Sequence, residues 1–207
     1  MHFHMWQTRQ EFTTLCDEIK QSGTLPLYLG FKDTWTCLAP WNALAVGLTD
    51  SDTCNQVNVG NTTFSDTYGP VAEKMRALLD YAEKNPYAYG YNDACTAFAR
   101  GESAMYPIGS YAIPQIKSVN PDMNIGSFTF PANDEESDNV LNSGIDFQDH
   151  HYPSEMSVDA MVQTFLLDTS DNAQEKLLKK FDSDWKRYNR DLIRKVQDYQ
   201  KEKEEQL

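Results

Sequence analysis

The order of apolar and polar positions predicts alternating helices and short strands. Thr8 is followed by Glu11 at the spacing of a capping box, and Phe12, Leu15, Cys16 and Ile19 then recur on one face. Gly23 follows, a residue suited to ending a helix. The apolar run TLPLYLG, residues 24–30, predicts a buried strand. Residues 31–44 read as a loop that becomes a helix at Pro40, a good first-turn residue. Residues 49–69, rich in Asp, Asn, Thr and Gly, read as an irregular surface stretch. Pro70 opens another helix, with Val71, Met75, Leu78, Leu79 and Ala82 on one stripe. A tyrosine-laden connection, NPYAYGYND, leads to a helix capped by Asn92 or Asp93 and stopped at Gly101.

Downstream, SAMYPI predicts a second strand, and the Gly109–Ser110 corner starts a helix through Ile113 and Ile116. MNIGSFTFP, residues 123–131, predicts a third strand, and VLNSGIDF, residues 140–147, a weaker one. From Ser157 the pattern is helical. Leu178, Phe181, Trp185, Tyr188, Leu192, Val196 and Tyr199 form one apolar seam on a long helix. The whole reads as an α/β layer followed by a helical C-terminal segment.

Composition narrows the function. The 207 residues suffice for one sizeable core or two small lobes. A formal charge of −13 argues against nucleic acid or an anionic membrane as partner, since both need a basic footprint. No apolar run approaches a membrane span. The start, Met1 to Met5, has neither the charged nor the apolar region of a signal peptide. Cys16, Cys37, Cys54 and Cys95 form no CxxC pair, and Cys16 falls on a buried helix face. Aromatics reach 12 %, and polar-tipped rings suit flat, hydroxylated ligands as well as cores.

Several stretches carry a resemblance in order. They are CDEIKQSG leading to TLPLYLG and KDTW, then YNDACTAFARGESAMYPIGSYAIPQI, MNIGSFTFP and GIDF, and finally FLLDTSDNAQEKLLKKFDSDWKRYNRD. Together they resemble the extracellular solute-binding proteins of ABC importers, in the branch that binds carbohydrates. Phe98 and Gly101, Ala104 and Met105, and Gly109, Ser110 and Tyr111 match that family's pattern in register. The resemblance covers most of residues 6–147 and roughly 152–195. It implies a periplasmic-binding-protein-like fold, here mainly one lobe plus a long C-terminal helix. Residues 6–147 would form a C-terminal-lobe-like ligand-binding region and 148–207 the helical segment. The strands that open a complete family member do not precede Met1, so a truncated form is expected.

The resemblance also implies a ligand and its contacts. A sugar presents apolar C–H faces and hydroxyl edges, and an aromatic plane with neighbouring polar groups covers both. The family's corresponding aromatic faces ligand, which makes Tyr111 the first candidate and Trp35 the second. Asp33 is a candidate hydroxyl acceptor. Gly109 would let the chain turn sharply and Ser110 would cap the next helix, beside the ligand. Asp146, near the presumed lobe crossing, completes the set, although a structural role suits it better. The implied function is the substrate-binding component of a carbohydrate importer: a non-enzymatic binder without cofactor, extracellular or on the cell surface, with ABC permease subunits as partners.

Three rival readings stand beside this one. The first is a lobe acting as a structural or interaction module through its C-terminal seam. The second is a glycan-processing enzyme, which would need two placed carboxylates that nothing in the sequence singles out. The third is a metal site in His2-Phe3-His4 or in Asp149-His150-His151, set aside because neither has a third fixed ligand. Asp182 and Asp184, near Lys179, Lys180 and Lys186, read as a solvated helix face.

Overall fold

The computed structural model of the chain describes residues 8–135, 139 and 152–204. Asp146, the strand candidate at 140–147 and the two histidine stretches lie outside the described residues.

Helix α1, Arg9–Gln21, starts as its sequence dictates. The Thr8 hydroxyl accepts from the Glu11 N–H and the Glu11 carboxylate accepts from the Thr8 N–H, both at 3.2 Å. Phe12 and Cys16 face inward and are buried. Strand β1, Leu25–Leu27, follows and pairs in parallel with β2, Ser103–Met105, in the register Leu25 to Ser103 and Leu27 to Met105. Between them lie α2, Leu38–Leu48; α3, Thr53–Val59; α4, Phe64–Thr67; α5, Gly69–Ala77; and α6, Tyr91–Ala99. After β2 come α7, Ile113–Val119; α8, Val158–Leu167; α9, Ala173–Tyr188; and α10, Arg190–Glu204.

Four differences from the sequence reading have physical causes. Residues 49–69 are not irregular: α3 and α4 lie there, because Val57, Phe64 and Tyr68 are drawn into the core by helices far away in sequence. Asp182 of α9 is no solvated face residue either. It accepts from the N–H groups of Phe64 at 2.7 Å and Ser65 at 3.2 Å, so it satisfies the open N-terminus of α4. Asp184, by contrast, pairs with Lys180 on the same helix at 2.6 Å. Residues 123–131 have no regular secondary structure and join no ladder among the described residues. Phe128 and Phe130 pack on Phe12 instead, with ring centroids 6.5 and 5.3 Å away. Finally, the C-terminal seam runs over two helices that meet at Asn189, and its two ends differ. Phe181 and Trp185 are buried, whereas Tyr188, Leu192 and Tyr199 are exposed.

The main core is aromatic. Trp41 stacks on Phe181 at 5.8 Å, and Phe64 meets Trp185 edge-on at 5.1 Å. Arg76 of α5 ties α8 to this core by donating to the carbonyls of Phe165 at 2.7 Å and Asp168 at 3.0 Å, the open end of that helix. A second, smaller core under α6 and α7 holds Cys95, Ala99, Ala112 and Ile116. All four cysteines are free and buried, and burial raises the thiols of Cys16 and Cys37 to about 12. Among the described residues no helix is long and apolar enough to cross a membrane.

Candidate functional site

The loop after β1 and the start of α6 come together at the C-terminal end of the two-stranded sheet. Gly30 has φ +64° and turns the chain out of the strand, so that residues 31–36 pass over the helix N-terminus. The Asp33 carboxylate accepts from the Tyr91 N–H at 2.7 Å, the first residue of α6. A negative charge at this end also meets the positive end of the helix dipole. Gly90 is required by the approach: a Cβ there would lie 2.5 Å from the Asp33 Oδ2 atom. The cap of α6 is therefore Gly90, and Asp93 serves from the third position by accepting the Gly90 N–H at 3.0 Å. Sequence reasoning had placed Asn92 or Asp93 at the cap itself.

The same loop is fastened on its other sides. The Lys32 N–H donates to the Tyr89 carbonyl at 3.0 Å, and the Gln163 amide of α8 donates to the Phe31 carbonyl at 2.5 Å. Thr34 donates to Asp159 of α8 at 2.5 Å, and Thr36 donates to the Gly30 and Asp33 carbonyls at 3.1 and 2.8 Å. Side chains from a fastened loop start with little conformational freedom to lose on binding.

Three rings meet on this support. Trp35 lies 5.1 Å from Tyr91 and 6.1 Å from Tyr111, and Tyr91 lies 6.5 Å from Tyr111. The mutual tilts are 49°, 47° and 38°, so the rings form a curved surface and not a single plane. Tyr111 is 55 % exposed and Trp35 42 %. Partial burial raises the phenols of Tyr111 and Tyr91 above their ordinary value. Both hydroxyls are therefore neutral near pH 7, where each both donates and accepts.

Of the site residues singled out from sequence, all but Asp146, which lies outside the described residues, can now be placed. Trp35, Tyr111 and Asp33 share one neighbourhood. Ser110 is exposed and adjoins Tyr111, but it makes no capping bond; the 3-10 turn Ser110–Ala112 is preceded by Gly109, and α7 has no side-chain cap. Gly109 has φ −72°, open to any residue, so a sharp turn is not why glycine stands there. The reason is the ring of Tyr111, which folds back so closely that a Cβ on Gly109 would sit 2.2 Å from its Cε1 atom. Tyr91 was missed. Its signal was the density of tyrosines in residues 85–93, read only as a connection.

A groove of about 390 Å³ lies elsewhere, between α8 and α9, with Met161, Phe165 and Leu177 among its lining residues. Its charged rim is largely self-paired, Lys176 with Asp168 at 3.0 Å and Lys180 with Asp184 at 2.6 Å. Trp35, Tyr111, Asp33 and Ser110 do not line it. Among the described residues no group of three or more His, Cys, Asp or Glu side chains is placed to hold a metal ion.

The structural comparisons give the chain a periplasmic-binding-protein-like fold, mainly one lobe with a helical C-terminal segment. The chain superposes on the chitin oligosaccharide binding protein with a TM-score of 0.69 at 18 % identity, over 88 % of this chain and 64 % of that one. In sequence it is 28 % identical over 137 residues to the multiple sugar-binding protein of Streptococcus mutans, covering 60 % of this chain and 32 % of the relative. It is 22 % identical over 129 residues to an ABC transporter extracellular-binding protein of Pyrococcus horikoshii, covering 61 % and 29 %. No protein-family model matches. The chain thus resembles the carbohydrate-binding extracellular solute-binding proteins of ABC importers, and its matched part spans about a third of the length of these curated relatives.

Proposed function

We propose that the chain is the sugar-contacting part of a substrate-binding component of a carbohydrate ABC importer. It binds a sugar or oligosaccharide without covalent chemistry, at the Trp35–Tyr91–Tyr111 surface. The observation that carries this reading is a cluster of three mutually contacting rings in which Trp35 and Tyr111 are exposed and Trp35 stands on a loop fixed by hydrogen bonds. Large exposed aromatic surface is unfavourable in water unless a ligand or partner covers it. The tilted rings suit the C–H faces of a bent saccharide, and the Asp33 carboxylate and the Tyr111 phenol lie beside them for hydroxyl groups. In the complete protein this surface is one wall of an aromatic-lined cleft, which lobe closure over the ligand would seal before docking on ABC permease subunits. Such a receptor works outside the cytoplasm and is a binder, not an enzyme. The names of the curated relatives support the class of ligand.

Saturation-transfer NMR with mono- and oligosaccharides tests the reading. Transfer to sugar protons that disappears in Trp35→Ala and Tyr111→Ala is expected. Transfer unaffected by both substitutions, or none at all from the folded chain, would remove the assignment.

A second reading is favoured by a different surface. Leu167, Tyr188, Leu192 and Tyr199 are all exposed on the C-terminal helices, beside or beyond the α8–α9 groove. Such a stripe suits an interaction module. A monomer in sedimentation at high concentration counts against that reading.

A further inference from the structure

Glu83 is a buried carboxylate that the binding surface does not use directly. It is 8 % exposed, and no Lys or Arg pairs with it among the described residues. Its oxygens accept from two successive backbone N–H groups, Leu29 at 2.9 Å and Gly30 at 3.0 Å. Just before it, Ala82 forms a single parallel bridge to Leu27. The side chain thus continues, for two residues, a ladder that no backbone strand supplies. Those two residues are where β1 ends and Gly30 swings the chain toward Asp33 and Trp35.

We propose that Glu83 is a positioning residue for the aromatic surface, holding the Leu29–Gly30 turn that delivers Asp33 and Trp35. The value of this to binding rests on the sugar-site reading; the positioning itself does not. Two acceptors facing two donors need the carboxylate form. A protonated acid, or the amide of Gln, turns one acceptor into a donor and sets it against an N–H. The phenols of Tyr28 and Tyr106 feel the charge of Glu83 and are neutral near pH 7; burial raises Tyr28 to about 12 and moves Tyr106 upward as well. Burial raises Glu83 above its ordinary 4.5, opposed by hydrogen bonds from the backbone N–H groups of Gly30, Leu29 and Glu83 itself.

This arrangement gives two effects of opposite sign. A carboxylate raised in the folded state binds a proton more readily than in the unfolded chain. Its contribution to stability therefore rises as pH falls through the folded value toward the ordinary one. The Trp35 loop, however, loses a hydrogen bond over the same interval. A residue that merely supported the fold would move stability and loop order together.

The test uses the full chain labelled with 5-fluorotryptophan and followed by fluorine NMR, with the Trp35 resonance assigned by its loss in Trp35→Phe. Three results are expected. Glu83→Gln shifts the Trp35 resonance while those of buried Trp41 and Trp185 stay in place. Wild-type Trp35 responds to acid at pH values above the ordinary Glu range, and that response is lost in Glu83→Gln. Sugar affinity of the variant falls roughly three- to tenfold without a lower melting temperature. Asp33 and Asp159 also face the loop, and their contribution remains in the variant, where it is subtracted. A Trp35 resonance identical in wild type and variant at every pH overturns the proposal, as does an equal shift of Trp35, Trp41 and Trp185. If Glu83→Gln and Glu83→Ala do not fold, the wild-type titration decides, and a Trp35 signal unmoved above the ordinary Glu range overturns it. Failure of wild type to bind any sugar, with the fluorine result intact, refutes the sugar site and leaves the positioning role standing.

Discussion

Two aromatic clusters in this chain have nearly the same internal geometry and opposite surroundings. In the core, Trp41, Phe64, Tyr68, Phe181 and Trp185 contact one another with centroids 4.8–6.0 Å apart, all nearly or fully buried. At the end of the sheet, Trp35, Tyr91 and Tyr111 meet at 5.1–6.5 Å, two of them among the most exposed large side chains. Ring spacing therefore does not separate packing from recognition. What separates them is where the supporting hydrogen bonds lie. In the core, Trp185 itself donates to Asn58 at 2.9 Å and the Tyr68 and Tyr152 hydroxyls meet at 2.9 Å. At the surface, the bonds fix the backbone beneath the rings and leave the ring faces open.

Substitutions break this comparison in order of size. Phe181→Ala removes a fully buried ring from the centre of the core and costs about 3–5 kcal/mol in chemical denaturation, whatever ligand is present. Trp35→Ala removes a half-exposed ring, so stability changes little, while sugar affinity falls about tenfold or more by calorimetric titration. Thr8→Ala deletes one half of the capping box on α1 and costs about 1 kcal/mol, with binding unchanged. Gly109→Ala forces the Tyr111 ring off its present position at small cost in stability, and affinity drops roughly threefold. Stability and affinity thus vary independently at the two clusters. A Trp35 variant that melts as early as the Phe181 variant would erase the distinction.

The sequence revealed what local chemistry decides. The Thr8–Glu11 capping box and the Phe12, Cys16 face of α1 need only residues within one or two turns, and both are present as read. The runs at 24–30 and 103–108 were recognisable as strands, but only three residues of each pair, because among the described residues no third strand flanks them. Residues 123–131 have strand-like composition but, among the described residues, no strand to pair with, and they stay outside the ladder. Helices α3 and α4 were hidden because their few apolar residues are anchored by α9, more than a hundred positions away.

The site divides in the same way. Trp35 and Tyr111 came from the family resemblance, and the structure places them in contact. The bond from Tyr91 to Asp33 spans 58 positions, and no local pattern announces it. The reason for Gly109 was equally out of reach, since it depends on where the Tyr111 ring folds.

The central claim is that the open cluster binds saccharide and the closed one does not take part. Calorimetric titration of the folded chain with a panel of oligosaccharides tests it most directly, with Trp35→Ala, Tyr111→Ala and, as a control at another exposed aromatic, Tyr199→Ala run in parallel. The account predicts saturable binding in wild type and Tyr199→Ala, and about tenfold weaker binding or none in the other two. Binding that survives both Trp35→Ala and Tyr111→Ala, or is lost only in Tyr199→Ala, would contradict it.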